Sequence, residues 1–231
     1  MKKKKIDITK LEKTGMAGKT GWGILKWFDN WLSSKLVPLV PSWLQTYHLT
    51  YSTILWSALI VLGGWLAGTR DMRWMYFVAV MIAMQYVTDL LDGKIGKERN
   101  TGLIQWGYYM DHFLDYVFLC SIVISYALAL PGFNFKMLVI LALFAGFMVN
   151  SFLAFSATNE FKIHYLGFGP TEMRILFIIV NIMLAIFGKT YVALELPYIL
   201  ALAFIGLVIV VYRKQKHIWK LDEKVKGRII K

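Results

Sequence analysis

Four aspartates stand in a stretch of chain that is otherwise rich in apolar residues. They form two closely spaced pairs, Asp89 with Asp92 and Asp111 with Asp115. Residues three or four apart lie on one face of a helix, so each pair would present two carboxylates side by side. A carboxylate at membrane depth costs about 2.5–3.5 kcal/mol, so all four must be neutralised. Two facing pairs would form an oxygen cage of the kind that hard divalent cations bind.

The residues around the two pairs extend this chemistry to phosphate. One glycine directly follows the first pair and another precedes the second pair by one helical turn: Gly93 and Gly107. Such glycines leave room for the close approach of a ligand. Three cations suited to phosphate oxygens lie in the intervening connection: Lys94, Lys97 and Arg99. Together these features predict a phosphoryl-transfer site, in which two metal ions clamp the attacking and leaving oxygens.

Other phosphate and metal motifs do not fit the sequence. The segment Gly-Lys-Ile-Gly-Lys-Glu at residues 93–98 is not a Walker A loop, because its glycine spacing is wrong and no Ser or Thr follows Lys97. The chain also contains no EF-hand loop, no HExxH motif and no nucleophile elbow. The paired carboxylates therefore remain the strongest chemical signal.

The composition is that of an integral membrane protein. Of the 231 residues, 58% are hydrophobic and the mean hydropathy is +0.54, whereas soluble domains are about 45–50% apolar. The net charge of +12 suits nucleic acid or anionic lipid, and the hydrophobicity favours lipid, so we expect no nucleic-acid partner. Six apolar segments are long enough to cross a membrane as helices: residues 50–68, 74–93, 103–130, 137–157, 171–188 and 192–212. We therefore predict an all-α fold, a bundle of six transmembrane helices.

The charge distribution predicts how this bundle is oriented. With both termini in the cytoplasm, 22 of the 26 lysines and arginines lie on the cytoplasmic side, in agreement with the positive-inside rule. We therefore expect a protein of the cytoplasmic membrane with both termini cytoplasmic. The aspartate-bearing ends of the second and third spans would then face the cytoplasm, where nucleotides are found.

The segment before the first span has a different character. Residues 21–46 mix aromatic and charged residues at helical spacing, and Trp27, Trp31 and Leu32 can share one face. This pattern favours a helix lying in the membrane interface, although a helix packed on the bundle fits equally well. The predicted organisation is residues 1–46 as a basic cytoplasmic N-terminus with this juxtamembrane amphipathic helix, 47–212 as the six-helix domain and 213–231 as a basic cytoplasmic tail.

The pattern from Asp89 to Asp115 resembles the motif of the CDP-alcohol phosphotransferases, D-x2-D-G-x2-A-R-x8-G-x3-D-x3-D. All four aspartates and both flanking glycines agree. Weaker similarities are His48-Leu-Thr50 before the first span and Gly169-Pro-Thr-Glu-Met-Arg174 at the start of the fifth, so the resemblance covers about residues 45–212. The sequence departs from the motif at two points. The family's Ala-Arg is here Gly96-Lys97, and the spacer between this pair and Gly107 has nine residues rather than eight.

The resemblance implies a role for each matching residue. Asp89, Asp92 and Asp111 would bind Mg²⁺ or Mn²⁺, expected as two ions. Asp115 would complete the second metal site or accept the proton of the attacking hydroxyl. The expected nucleotide contacts are Gly93, Gly96, Lys97, Gly107 and, more weakly, Thr50. Lys97 stands where the family has its phosphate-binding arginine, and the alternative is that Arg99 takes over that role.

Three further residues have two readings each. His112 is similar to the histidine that the choline/ethanolamine branch of the family uses as a base. It could equally form a hydrogen bond to Asp115 or to a backbone carbonyl. Glu172 and Arg174 would bind the phosphate of the acceptor or of lipid. Their alternative roles are a helix-capping acid and an arginine that reaches to the interface.

The implied activity is transfer of a phosphoalcohol or phosphatidyl group from a CDP-linked donor to an acceptor hydroxyl, with release of CMP, in phospholipid biosynthesis. CDP-diacylglycerol is slightly preferred as donor. The alternative is a CDP-linked choline or ethanolamine donor with diacylglycerol as acceptor. A divalent-cation transporter and a catalytically silent relative are the competing hypotheses. The resemblance also implies a homodimer.

Overall fold

A computed structural model describes residues 24–99, 103–158, 169–190 and 192–229, and within these ranges the chain is helical with no strand. Predictions for residues 1–23 lie outside the described residues. The described ranges contain seven α-helices: α1 Lys26–Leu36, α2 Thr46–Thr69, α3 Trp74–Glu98, α4 Ile104–Ala129, α5 Asn134–Thr158, α6 Pro170–Phe187 and α7 Val192–Ile229. Short 3-10 helices precede α2 and α5 at Val37–Leu39 and Pro131–Phe133.

Six of these helices, α2 to α7, are long and apolar enough to cross a membrane. The predicted all-α architecture with six transmembrane helices is therefore confirmed. Helix α2 packs against α3 and α4, α3 also packs against α6, and α5 lies between α4 and α7. The most deeply buried apolar side chains of this bundle include Ile60, Ile82 and Ile122, which come from α2, α3 and α4. These three helices form the centre of the fold.

Two glycines of α2 let it lie directly against α4. A Cβ atom added at Gly64 would lie 2.4 Å from the Cα atom of Ser125, and one added at Gly68 would lie 2.2 Å from the carbonyl oxygen of Leu128. Small residues at such crossings allow membrane helices to approach backbone to backbone. The close α2–α4 contact therefore fixes how these two central helices pack against each other.

Helix α1 docks on the bundle through polar groups and exposes its indoles. The hydroxyls of Tyr86 on α3 and Thr171 on α6 both donate hydrogen bonds to the Asp29 carboxylate, while Trp27 and Trp31 are more than half exposed. Both readings of this segment therefore keep support, because one face contacts the bundle and the other offers aromatic rings. Placement of those rings in the membrane interface stays a prediction.

Helix α7 has 38 residues and continues without interruption beyond residue 212. At about 1.5 Å per residue it is about 57 Å long, nearly twice the thickness of a hydrocarbon core of about 30 Å. The basic C-terminal segment is thus the extension of the last transmembrane helix rather than a separate surface helix. Hydropathy marks where the apolar part ends, whereas the described helix continues to Ile229.

The close α2–α4 contact predicts a strong effect of a single methyl group. Gly64→Ala would push Cβ into the backbone of Ser125, so we expect destabilisation by about 1–3 kcal/mol, the usual cost of overpacking. Thermal unfolding in detergent measures it. Gly132→Ala is the matched control, because nothing lies within 4 Å of a Cβ at that position. Equal melting temperatures for the two variants would contradict this account of the packing.

Candidate active site

The two aspartate pairs lie at the same end of the bundle because α3 and α4 run in opposite directions. Asp89 and Asp92 belong to the last turns of α3, and Asp111 and Asp115 belong to the first turns of α4. The start of α6 reaches the same end of α3, because Arg174 in α6 forms an ion pair with Asp89 in α3. All four carboxylates therefore lie at one end of the bundle, but among the described residues the group of ligand atoms that all lie within 4.8 Å of one another contains Asp111, His112 and Asp115 and neither Asp89 nor Asp92. A cage of four facing carboxylates stays a prediction.

Arg174 lies between the two pairs and joins them. Its Nη1 atom is 3.0 Å from Oδ2 of Asp89, and its Nη2 atom is 2.9 Å from Oδ1 of Asp115. The residue is only 5% exposed, and its guanidinium carbon lies 5.8 Å from the ring centre of Phe118. One buried cation thus connects α3, α4 and α6. The sequence had pointed to Arg174 as a phosphate ligand, and its ion pairs with the aspartates were not anticipated.

His112 shares its surroundings with the second aspartate pair. Ligand atoms of Asp111, His112 and Asp115 all lie within 4.8 Å of one another, and Nδ1 of His112 is 3.3 Å from Oδ2 of Asp111. The imidazole packs against the rings of Tyr108 and Phe152, with centroid distances of 4.4 and 5.7 Å. Carboxylate oxygens so closely spaced match the ligands that Mg²⁺ and Mn²⁺ prefer. The residues present therefore fit a divalent metal ion.

Thr50 orients the remaining aspartate. Its Oγ1 atom donates to Oδ2 of Asp92 at 2.6 Å, and both residues are buried. The same hydroxyl lies 3.1 Å from the carbonyl oxygen of Thr46, one turn earlier in α2. A hydroxyl that fixes a metal-binding carboxylate from behind acts on metal affinity without touching the metal. The structure places Thr50 behind Asp92, and contact with a nucleotide stays a prediction.

The glycines of the motif border open space. No protein atom lies within 4 Å of a Cβ built at Gly93 or at Gly107. Gly96 and Lys97 follow in the last turn of α3, and the lysine is exposed. This open region next to the carboxylates is where the sequence predicted contacts to a nucleotide.

Arg99 holds the chain segment before α2. Its Nη1 atom donates to the carbonyl oxygen of Leu44 at 2.6 Å, and its Nη2 atom donates to the carbonyl oxygens of Val40 and Pro41 at 3.0 and 3.2 Å. These hydrogen bonds occupy the planar fork that bidentate phosphate binding would need. They favour a structural role for Arg99 over the phosphate-binding role considered for it, and they leave Lys97 as the phosphate candidate in this connection.

Helix α1 fastens α3 to α6 beside the Arg174 ion pairs. Tyr86 and Thr171, which both bind Asp29, lie one helical turn before Asp89 and Arg174 respectively. Glu172 accepts hydrogen bonds from the backbone N–H groups of Leu25 and Gly169, each at 2.9 Å, so it caps α6 and ties α1 to it. This agrees with the capping role considered for Glu172, while a phosphate contact stays a prediction. Sequence reasoning missed Asp29, whose only signal was an acid within an aromatic helix.

Comparison with known proteins assigns the chain to a family. A model of the CDP-alcohol phosphatidyltransferases matches residues 39–212, well over half of the chain. The chain belongs to the CDP-alcohol phosphatidyltransferase family. This family transfers phosphoalcohol groups from CDP-alcohols in membranes, and the match confirms the resemblance of the aspartate motif. No curated protein and no solved structure shows a significant match to the chain.

The Thr50–Asp92 hydrogen bond predicts a change in metal affinity. Thr50→Val keeps the shape of the side chain but removes the donor, so Mn²⁺ should bind about 10–100-fold more weakly, as is typical when an outer-shell partner is lost. Titration with Mn²⁺ followed by electron paramagnetic resonance measures the dissociation constant. Thr50→Ser retains the hydroxyl and should bind like the unmodified protein. Equal affinities of the Val and Ser variants would show that this hydrogen bond does not act on the metal.

Proposed function

We propose that the protein transfers a phosphatidyl or phosphoalcohol group from a CDP-linked donor to an acceptor hydroxyl and releases CMP. The observation that carries this proposal is the assembly of Asp89, Asp92, Asp111 and Asp115 at one end of a family fold, beside open space at the motif glycines. The reaction forms a bond between the acceptor oxygen and phosphorus. It breaks the bond from that phosphorus to CMP.

The carboxylates would hold the metal ions of this reaction. Asp89, Asp92 and Asp111 would be ligands, with Asp115 shared between metal binding and proton transfer. Bound Mg²⁺ or Mn²⁺, expected as two ions, would supply charge neutralisation for the phosphate groups in the transition state. The close spacing of the Asp111, His112 and Asp115 ligand atoms supports this assignment.

Two residues could take the proton of the acceptor hydroxyl. Asp115 would accept it on a carboxylate oxygen, and His112 would accept it on a ring nitrogen. The contact between Nδ1 of His112 and Asp111 would orient the imidazole, as a carboxylate does in other histidine bases. Packing of His112 between aromatic rings supports a fixed ring orientation, which general-base catalysis requires.

The nucleotide would occupy the open space along α3 and α4. Gly93, Gly96 and Gly107 would lie against the cytidine and its phosphates, and a larger side chain at these positions would fill that space. Lys97 would bind a phosphate oxygen as a point charge. The use of Arg99 in holding residues 40–44 supports this division of roles between the two cations.

The donor is proposed to be CDP-diacylglycerol, with a small alcohol as acceptor. Carboxylates on membrane-spanning helices suit a lipid substrate that enters from the side, and the six helices correspond to the general architecture of the family. The alternative is a CDP-choline or CDP-ethanolamine donor with diacylglycerol as acceptor, which the Asp111–His112 pair favours. We further propose a homodimer, as the family resemblance implies.

Two competing functions have weaker support. A divalent-cation transporter would need acidic groups that continue across the membrane. The buried carboxylates among the described residues of α2 to α7 instead cluster at one end of the bundle. A catalytically silent relative is suggested only by Gly96-Lys97 in place of Ala-Arg. Lysine keeps the positive charge that phosphate binding requires, so this departure does not remove the chemistry.

The proposed orientation places the site and both termini on the cytoplasmic side of the cytoplasmic membrane. Helix α1 contacts the aspartate-bearing end of α3, and six spans return the chain to the side on which it started. Green fluorescent protein fused to the C-terminus should fluoresce, and alkaline phosphatase fused there should be inactive. The reverse pattern would overturn the orientation and the span count together.

Release of CMP is the direct test of the proposed reaction. Purified protein in detergent with Mg²⁺ or Mn²⁺ should release CMP from one of three donors: CDP-diacylglycerol, CDP-choline or CDP-ethanolamine. Asp111→Asn removes a metal ligand, so its rate should fall by more than about 100-fold, beyond the loss expected for an outer-shell partner. Asp222→Asn, at an exposed position of α7, is the matched control. Undiminished release by Asp111→Asn would refute the site assignment.

A further inference from the structure

The position of Arg174 inside the carboxylate cage has a consequence for metal binding. Its guanidinium does not lie at the rim of the site, because the residue is 5% exposed and bridges one aspartate from each pair. An arginine remains charged at all ordinary pH values, and a buried charge is tolerated only when it is paired. Asp89 and Asp115 therefore act as counter-ions of Arg174, and Arg174 is a counter-ion of each of them.

We propose that Arg174 is the resident counter-cation of the carboxylate cage and that divalent metal ions compete with it for Asp89 and Asp115. The inference rests on the metal site of the proposed function. It adds that the cage is neutralised by the protein itself before metal binds. Metal affinity is then lower than four carboxylates alone would give, because like charges close together in a low dielectric repel each other strongly.

The surrounding structure restricts how this competition is resolved. Helix α6 is held near Arg174 by the Thr171–Asp29 hydrogen bond and by the Glu172 cap. The same Asp29 carboxylate binds Tyr86 on α3. The backbone of α6 is thus fastened to α3, and the flexible part of the contact is the long Arg174 side chain. Its release from the aspartates would not require the helices to separate.

Release would present the guanidinium to the substrate. Once it has left the two carboxylates, the planar guanidinium can bind two oxygens of one phosphate in the same bidentate manner. Arg174 would therefore serve two kinds of anion in turn, the aspartates in the metal-free protein and a substrate phosphate in the loaded one. This order couples metal loading to phosphate binding through a single residue.

Metal binding by Arg174 variants tests the inference without relying on turnover. Mn²⁺ titrations followed by electron paramagnetic resonance should show that Arg174→Gln binds Mn²⁺ about tenfold more tightly or better than the unmodified protein, because the competing charge is gone. Its melting temperature without metal should be lower, and Mn²⁺ should raise it more. Arg174→Lys keeps the charge and should bind Mn²⁺ nearly as the unmodified protein does.

The outcomes separate this inference from the proposed function. If the unmodified protein binds Mn²⁺ and Arg174→Gln binds it equally or more weakly, the competition is refuted and the metal site stands. If neither protein binds Mn²⁺, the metal site and the inference both fail. If Arg174→Lys loses affinity together with Arg174→Gln, Arg174 positions the aspartates by its shape and does not compete by charge.

Folding of the variant provides a second readout. The Gln variant removes the guanidinium from two half-buried carboxylates, so it could fail to purify in the absence of metal. Recovery of a monodisperse, folded protein only when Mn²⁺ is present during purification would support the proposal, since metal then replaces the missing charge. Failure at every Mn²⁺ concentration would overturn it, because metal could not take the place of Arg174.

Discussion

Neutralisation of buried carboxylates is the constraint on which the arrangement of this protein depends. Four aspartates near the end of a membrane bundle cannot remain uncompensated, because each is costly at low dielectric. The protein meets this requirement with groups from two other helices: the Thr50 hydroxyl donates a hydrogen bond to Asp92, and the Arg174 guanidinium forms ion pairs with Asp89 and Asp115. The positions of α2, α4 and α6 relative to α3 follow from these contacts as much as from apolar packing.

The helix contacts make this charge arrangement geometrically possible. Gly64 and Gly68 bring α2 against α4, and α2 carries the Thr50 hydroxyl that reaches Asp92. Helix α1 then closes the same end by binding α3 and α6 through Asp29. Close packing of small residues and a few buried hydrogen bonds are the main sources of specificity between membrane helices. Here the buried hydrogen bonds lie at the site, whereas the Gly64 and Gly68 contacts lie toward the far ends of α2 and α4, so the glycines fix the packing of the central helices and the hydrogen bonds fix the site.

The sequence predicted what depends on local pattern and missed what depends on distant pairing. Apolar length identified six spans, and the three- and four-residue spacings identified the aspartate pairs. Both signals lie within single helices. The partners of Arg174 are 85 and 59 residues away, and Asp29 binds residues 57 and 142 positions away. No periodicity encodes such pairs. The end of α7 was missed for a different reason, because hydropathy reports where lipid ends and a helix can continue into water.

The departure from the family motif can be understood from the same long-range contacts. Replacement of Ala-Arg by Gly96-Lys97 removes a bidentate fork from the connection after α3, and Arg99 does not replace it, because its guanidinium holds the carbonyls of residues 40–44. Under the proposed function, Lys97 contributes charge and Arg174 contributes the fork. A single arginine combines positive charge with a planar bidentate fork, and here these two properties would come from residues on two helices. The Arg174 fork would bind phosphate only after metal ions have displaced it from the aspartates. The altered motif is therefore compatible with an active site whose phosphate binding depends more strongly on metal.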